Sequence, residues 1–227
     1  MFRQLAFLQW KTSRYAVFLL LPLCVGLPIF FAQLAARFTE GEQLGGAAVL
    51  MLHFIDTTSV AFPILAAVSG CALALTAWTW DHRTHHVYAL SLPLERWRYA
   101  LMKMAAGSLL LLLIVAGVLF GSVLAVTITP LPAGIHGYPI AFTTRFLFAA
   151  LICYATTFAF ASGTTRTTVR VFAAFFIVFI LGSVVTEIAG EALGTPIRSP
   201  AALLGEALVT WPGPFNVFGG SWMLIDV

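Results

Sequence analysis

Five long apolar runs dominate this sequence of 227 residues, and they constrain its fold more than any other feature. The hydrocarbon core of a bilayer is about 30 Å thick, so a helix needs roughly 20 apolar residues to cross it. Lipid offers no hydrogen-bonding partner to the backbone, so each run that crosses must be helical. Only 9% of the residues are charged and the mean hydropathy is +0.97. Soluble domains carry roughly 25% charged residues, which excludes an ordinary soluble fold.

The runs predict an all-α, polytopic membrane helix bundle that occupies residues 1–227 as a single transmembrane domain. Residues 1–14 combine apolar and basic side chains, which is typical of an amphipathic interfacial helix. A plain basic flank that only sets the topology is the alternative. Five complete spans follow in the prediction, over residues 15–36, 45–78, 99–126, 142–161 and 171–189.

The second run, 45–78, is longer than a membrane requires. Roughly 34 helical residues extend over about 50 Å, so the helix must tilt, kink or protrude. Pro63 lies in its middle and favours a kink, because it lacks a backbone N–H. We expect the end of this helix to carry Asp81 just beyond the membrane.

The tail 211–227 is apolar but begins with prolines and a glycine, which break helices. Residues 221–227 can open a sixth span, yet the sequence stops before one is complete. We therefore expect either an outer re-entrant tail or a sixth span that is truncated.

The basic residues predict the orientation, because they accumulate in short cytoplasmic loops. We expect a multi-pass plasma (inner) membrane protein in contact with lipid, with its N-terminus in the cytosol. Nine basic residues fall on that side: Arg3, Lys11, Arg14, Arg83, Arg96, Arg98, Lys103, Arg166 and Arg170.

Residues 80–103, which we call the connecting segment, are charged and amphipathic and join the second and third runs. Pro93 can open a helix, since its missing donor costs little in a first turn. Glu95 then lies in that turn, where the helix dipole favours an acid. Leu94, Trp97 and Leu101 recur at helical spacing. The pattern predicts a short cytosolic surface helix that runs into the third span.

The connecting segment resembles the permease subunits of the ABC-2 family of ATP-driven transporters. In that family an acid after a long second helix precedes a Leu-x-x-Pro-x-x-Arg stretch and then a Lys. The matching residues are Asp81, the stretch Leu90–Arg96 and Lys103. The sequence departs from the family in having Asp81 where Glu is more usual, and His85 and His86 where small residues and Thr are common.

The resemblance implies a permease that couples ATP hydrolysis on a separate ATPase subunit to substrate movement, with export as the expected direction. This chain has no Gly-x-x-x-x-Gly-Lys-Ser/Thr loop, so it is not expected to be an enzyme, and ATP and Mg belong on the partner. The resemblance also implies a second permease chain, identical or different. No contact with nucleic acid is expected. The residues expected at the ATPase contact are Asp81, Leu92, Pro93, Glu95, Arg96, Arg98, Lys103 and Arg166.

Other functions stay open. The connecting segment can be a basic topology loop with an incidental proline, and the chain can be a secondary transporter or a membrane assembly scaffold without ATP coupling. An intramembrane protease is disfavoured because neither Gly-x-Ser-x-Gly nor His-Glu-x-x-His occurs. A haem protein would need paired histidines within the spans, and only His53 lies well inside one.

Asp56 is the sharpest polar feature within a span. A carboxylate at the centre of a membrane helix costs about 2.5–3.5 kcal/mol by insertion scales. Asp56 can line a substrate path, or it can bind the hydroxyls of nearby Thr and Ser residues, and the sequence does not decide between the two.

Two further patterns are weak. His82, His85 and His86 share a helical face next to Asp81, but a loop at headgroup level is neither dry nor ordered, so we predict no metal site. Gly117-x-x-x-Gly121 in the third span permits close helix packing. The three cysteines lie inside apolar runs and behave as small hydrophobes.

Overall fold

The structure is a computed structural model. It describes residues 2–39, 44–83, 95–131, 134–163, 166–167, 169–170, 173–174, 177, 180–182, 184–185, 200–210, 212–220 and 222–226. Within the connecting segment, residues 84–94 therefore lie outside the described residues, and with them Leu92, Pro93, His85 and His86.

The described residues are mainly helical. The elements are α1 (Phe2–Thr39), α2 (Leu44–Thr58), α3 (Ala61–Arg83), α4 (Arg96–Ile128), β1 (His136–Gly137), α5 (Pro139–Ala161), α6 (Pro200–Val209), a 3-10 helix (Pro214–Phe218) and β2 (Ile225–Asp226). The two short strands pair antiparallel, with His136 opposite Asp226.

Four helical stretches in the described part of the chain are long and apolar enough to cross a membrane. They are Phe2–Arg37, Val49–Arg83, Arg96–Ile128 and Pro139–Ala161. The predicted apolar helices are thus confirmed for the first four runs. The count of five or six spans stays a prediction, since most of 171–189 lies outside the described residues, although those described between 173 and 185 are helical.

Helix α1 differs from the prediction, because it continues without a break from Phe2 to Thr39. The prediction of a separate helix over residues 1–14 is therefore wrong. One face of this stretch is buried, with Leu5, Gln9 and Ser13 one turn apart. The Ser13 and Thr76 hydroxyls lie 2.8 Å apart, which joins the start of α1 to α3.

The second run is divided into α2 and α3 by a turn at Ser59 and Val60. Pro63 is the third residue of α3, where an N–H would have no helical acceptor in any case. The N–H of Phe62 instead donates to the carbonyl of Ser59 over 3.0 Å. The expected interruption therefore occurs, but four residues earlier, with Pro63 in the first turn of the new helix rather than in the middle of a kinked one.

Two glycines allow the helices to approach closely. A Cβ on Gly121 of α4 would lie 2.5 Å from the Val25 carbonyl oxygen of α1, and one on Gly70 of α3 would lie 2.3 Å from that of Ala150 in α5. Small residues are the usual device for such packing between membrane helices. Gly121 belongs to the predicted Gly-x-x-x-Gly pattern, so this pattern serves a contact within the chain.

The chain forms two compact units, Met1–Phe158 with Gly220–Val227, and Ala159–Gly219. In the first, Trp222, Leu224 and Ile225 are buried, and β2 pairs with β1. In the second, the Asn216 amide donates to the Val209 carbonyl over 2.9 Å, which ties the 3-10 helix to α6. The described residues of 212–226 contain a 3-10 helix and a short strand, and the sixth span stays a prediction.

Candidate functional site

The candidate site lies in the first unit where α3 ends and α4 begins, which we call the α3–α4 end. Asp81 is two residues before the last residue of α3, and Lys103 is in the second turn of α4. The 21 residues between them include all of 84–94. The two charges therefore lie at opposite ends of the connecting segment, one on each helix that it joins.

Asp81 and Lys103 form a buried ion pair. The Lys103 Nζ donates to Asp81 Oδ2, and the Tyr99 hydroxyl lies 3.1 Å from Oδ1 and 3.2 Å from Oδ2. Asp81 is 0% exposed, and Lys103 and Tyr99 are each 4% exposed. Tyr99 and Lys103 are four residues apart, so one face of α4 presents both donors to the carboxylate.

Trp78 closes the other side of the pair. The Lys103 Nζ is 4.4 Å from the centre of the Trp78 ring and 5.4 Å from that of Tyr99, within the range of cation–π attraction. Trp78 lies one turn before Asp81, and its ring is 5.1 Å from that of Phe158 in α5. We call Trp78, Asp81, Tyr99 and Lys103 the ionic clasp.

The clasp fastens α3 to α4 through charge in an apolar setting. Each ion loses several kcal/mol of hydration on burial, and the pair recovers this only with good geometry and further hydrogen bonds. Here Tyr99 supplies the further hydrogen bonds and the Trp78 ring supplies attraction for the cation. Separating α3 from α4 at this point would leave each of the two charges without its partner. The free-energy cost of that separation keeps the junction stiff.

The same end also holds α1. The Gln9 amide lies 3.2 Å from the Ser13 hydroxyl, and Ser13 in turn reaches Thr76 of α3. The Thr76 hydroxyl also contacts the carbonyl of Leu73 at 3.0 Å. A polar link therefore fixes α1 to α3 a short way along the helix from the clasp.

The residues predicted for a partner contact fall into two groups. Glu95, Arg96 and Arg98 are exposed, and the Arg98 Nε lies 3.0 Å from Glu95 Oε2 with both side chains 59% exposed. Surface pairs of this kind contribute little, about 0–1 kcal/mol, so these charges stay open to a partner. Asp81 and Lys103 are buried and bind each other.

The other residues predicted for the contact are Arg166, Leu92 and Pro93. Arg166 is exposed and belongs to the second compact unit. Leu92 and Pro93 lie outside the described residues. Tyr99 and Trp78 were missed by the sequence analysis, although Tyr99 precedes Lys103 by four residues and Trp78 precedes Asp81 by three, the spacing at which helical neighbours touch.

Asp56 lies near the end of α2 and its side chain is exposed. The hydroxyls of the three residues that follow it bind backbone carbonyls: Thr57 that of His53 over 2.8 Å, Thr58 that of Phe54 over 2.9 Å and Ser59 that of Asp56 over 2.6 Å. These hydroxyls bind backbone carbonyls rather than the Asp56 carboxylate. That Asp56 lines a substrate path stays a prediction.

In the part of the chain that the structure describes, no three His, Cys, Asp or Glu side chains lie close enough together to hold a metal ion. The three cysteines are free thiols there. The Cys71 sulfur lies 3.2 Å from the Thr157 hydroxyl, a contact between α3 and α5.

No family model, no curated protein and no solved structure matches this chain. The resemblance to ABC-2 permeases therefore depends on the residues of the connecting segment and on the general plan of helices.

Proposed function

We propose that this chain is the membrane-spanning permease subunit of an ABC-2 type ATP-driven transporter, most simply an exporter, in the plasma (inner) membrane with its N-terminus in the cytosol. The ionic clasp is the observation that carries the proposal. It joins the two helices that flank the connecting segment, which is the segment that such permeases present to their ATPase.

The clasp suits a coupling role for a mechanical reason. A partner that pushes on the connecting segment loads the end of α3 and the start of α4 together. Because Asp81 and Lys103 fasten these helices, the load moves both as one body instead of separating them. Charged residues within membrane helices are rare and point to function by default, and here the function is transmission of force.

The exposed charges beside the clasp supply the contact itself. Arg96, Arg98 and Glu95 lie at the start of α4, and an acidic patch on the ATPase would complement the two cations. Leu92 and Pro93 precede them in the sequence, and Arg166, five residues after the end of α5, adds a second contact. ATP and Mg are held by the ATPase, and the connecting segment of the permease passes the movement of the ATPase to α3 and α4.

A second permease chain completes the path. Many large apolar side chains on the spanning helices are exposed in the single chain, among them Phe18 at 64%, Phe30 at 57% and Phe120 at 60%. Such surfaces face lipid or another helix bundle. The predicted five or six spans are too few to enclose a substrate path, so a homodimer or heterodimer forms it.

The test is charge reversal at the contact. The double variant Arg96→Glu/Arg98→Glu should reduce co-purification of the ATPase by tenfold or more, in the manner of a like-charge clash across an interface. Arg3→Glu/Arg170→Glu is the matched control, since it reverses two exposed cations outside the proposed contact. Normal ATPase recovery and normal transport by the Arg96/Arg98 variant, once it is shown to be inserted, would refute the contact.

A second experiment separates this proposal from its alternatives. Inverted vesicles that contain the chain and its co-purifying subunit should move substrate only with ATP and Mg. A secondary transporter would respond to an ion gradient and ignore ATP, and an assembly scaffold would move nothing.

A further inference from the structure

A groove of about 330 Å³ opens between α1 and α3 at the α3–α4 end of the bundle. This volume falls in the range of about 300–1,000 Å³ that small-molecule sites occupy. Its walls come from one face of each helix: Leu8, Lys11, Thr12 and Tyr15 of α1, and Thr79, Trp80 and Arg83 of α3.

The groove is cationic. Lys11 and Arg83 line it from opposite helices, and no acidic residue is among its walls. Within the ranges that the structure describes, neither of these two cations forms an ion pair, whereas Lys103 and Arg98 do. An anion in the groove would therefore meet two positive charges without having to displace an acid.

The donors in the groove favour phosphate. The Thr12 hydroxyl lies 3.0 Å from the carbonyl of Gln9 and the Thr79 hydroxyl 3.0 Å from that of Leu75, so both hydroxyl hydrogens are used by their own helices. The Tyr15 hydroxyl accepts from Arg14 over 2.9 Å, which leaves its hydrogen for a ligand. Lys11, Arg83 and Tyr15 together offer the charge-assisted donors that phosphate oxygens bind.

The groove also has an apolar continuation. Tyr15 is 71% exposed and Trp80 42%, and both residue types are enriched at the depth of lipid headgroups. One turn further along each helix, Leu19 of α1 is 68% exposed and Leu75 of α3 57% exposed. A ligand that fits both parts is amphiphilic, with an anionic head and an apolar chain.

We propose that this groove binds an anionic phospholipid, with the phosphate between Lys11 and Arg83 and an acyl chain over Leu19 and Leu75. The lipid contacts α1 and α3 at once and braces the junction that the Ser13–Thr76 hydrogen bond makes. The proposal depends on the helices lying in a membrane and not on the ATPase partner, so it can stand if the transport function is wrong.

The experiment uses the full chain, purified, delipidated and returned to detergent with phosphatidylglycerol or phosphatidylcholine. Native mass spectrometry should show phosphatidylglycerol retained at least tenfold better than phosphatidylcholine. The variant Lys11→Gln/Arg83→Gln should lose on the order of tenfold in phosphatidylglycerol retention, because two cations near the headgroup are removed. The control Arg3→Gln/Arg37→Gln removes the same charge from exposed positions outside the groove and should lose less than twofold.

Two further measurements decide whether the phosphate belongs to a lipid and where the acyl chain lies. Glycerol 3-phosphate should fail to displace the lipid, and full displacement by it would overturn the lipid assignment in favour of a free phosphate. A phosphatidylglycerol with a photoreactive group in its acyl chain should label the peptides that contain Leu19 or Leu75. Equal loss in the groove and control variants, equal retention of phosphatidylcholine, or labelling elsewhere would each refute the proposal.

Discussion

The two ends of the first compact unit are held together by different chemistry. At the α3–α4 end, a single buried ion pair between Asp81 and Lys103 joins two helices. At the opposite end, aromatic rings stack edge to face. Phe142 of α5 lies 4.8 Å from Phe62 of α3 and 6.3 Å from Trp222 of the tail, and Arg145 lies over the Trp222 ring at 4.9 Å.

This difference bears on how each end can move. Aromatic pairs contribute about 0.5–1.5 kcal/mol each beyond their buried area, so such contacts can be exchanged one at a time as helices shift. Loss of one partner in a buried ion pair costs about 3–5 kcal/mol in a single step. The α3–α4 end should therefore resist separation of its helices, and the aromatic end should repack more readily.

The largest expected effect comes from breaking the clasp. Asp81→Leu or Lys103→Met should each lower the free energy of unfolding by about 3–5 kcal/mol, because the other charge stays buried without its partner. The double variant should be more stable than either single variant, since no buried charge then remains. Thermal unfolding of purified protein in mild detergent measures all three.

Glu95→Gln is the control for this series, because its pair with Arg98 is exposed and should contribute less than about 1 kcal/mol. A double variant as unstable as the single ones would contradict a paired clasp. So would a loss in Glu95→Gln as large as that in Asp81→Leu.

At the aromatic end, Trp222→Ala should cost about 3 kcal/mol, the usual effect of emptying a large buried aromatic site. Trp222 is 2% exposed and also carries the stacking contact with Arg145. Phe148→Ala on the same helix as Phe142 is the matched control, since Phe148 is 53% exposed and should change the unfolding temperature little. Equal unfolding temperatures for Trp222→Ala and the wild type would show that the tail does not close this end.

A smaller effect is expected between the two ends, where α1 and α4 pack. Gly121→Ala should destabilise by about 1–3 kcal/mol, because its methyl group meets the Val25 backbone and the helices must separate. Gly26→Ala tests helix propensity alone, since a Cβ there meets nothing within 4 Å, and it should be neutral or stabilising by up to about 1 kcal/mol. Matching unfolding temperatures for the two variants would argue against close packing at Gly121.

The spans could be predicted because hydropathy is a local property. Residues 99–126 were predicted for the third span and 142–161 for the fourth, and the helices run from Arg96 to Ile128 and from Pro139 to Ala161. The amphipathic pattern over 1–14 was also real, and its buried face meets Thr76 of α3 through Ser13. A periodic pattern indicates that one face is buried and does not say against what.

The parts that could not be predicted depend on contacts between distant residues. The resemblance named Asp81 and Lys103, yet nothing in the sequence indicates that they bind each other with Tyr99 between them. The apolar composition of the tail gave no sign that residues 225–226 pair with His136 and Gly137. The break at Ser59 was assigned to Pro63, because a proline is conspicuous in a sequence. The hydroxyls of Thr57, Thr58 and Ser59, which bind backbone carbonyls at this point, are less conspicuous.

The smallest expected change in stability comes from Asp56, the other acid near the second run. Asp56→Asn should leave the free energy of unfolding within about 0.5 kcal/mol, because the carboxylate is exposed and the nearby hydroxyls bind the backbone. Asp81→Asn, the same change in the clasp, should be strongly destabilising because Lys103 loses its counter-ion. If Asp56 lines the substrate path, transport by Asp56→Asn should fall at least tenfold although the protein stays folded. Full transport by Asp56→Asn would show that the Asp56 carboxylate is not needed for transport. Of these two acids, only Asp81 would then be required.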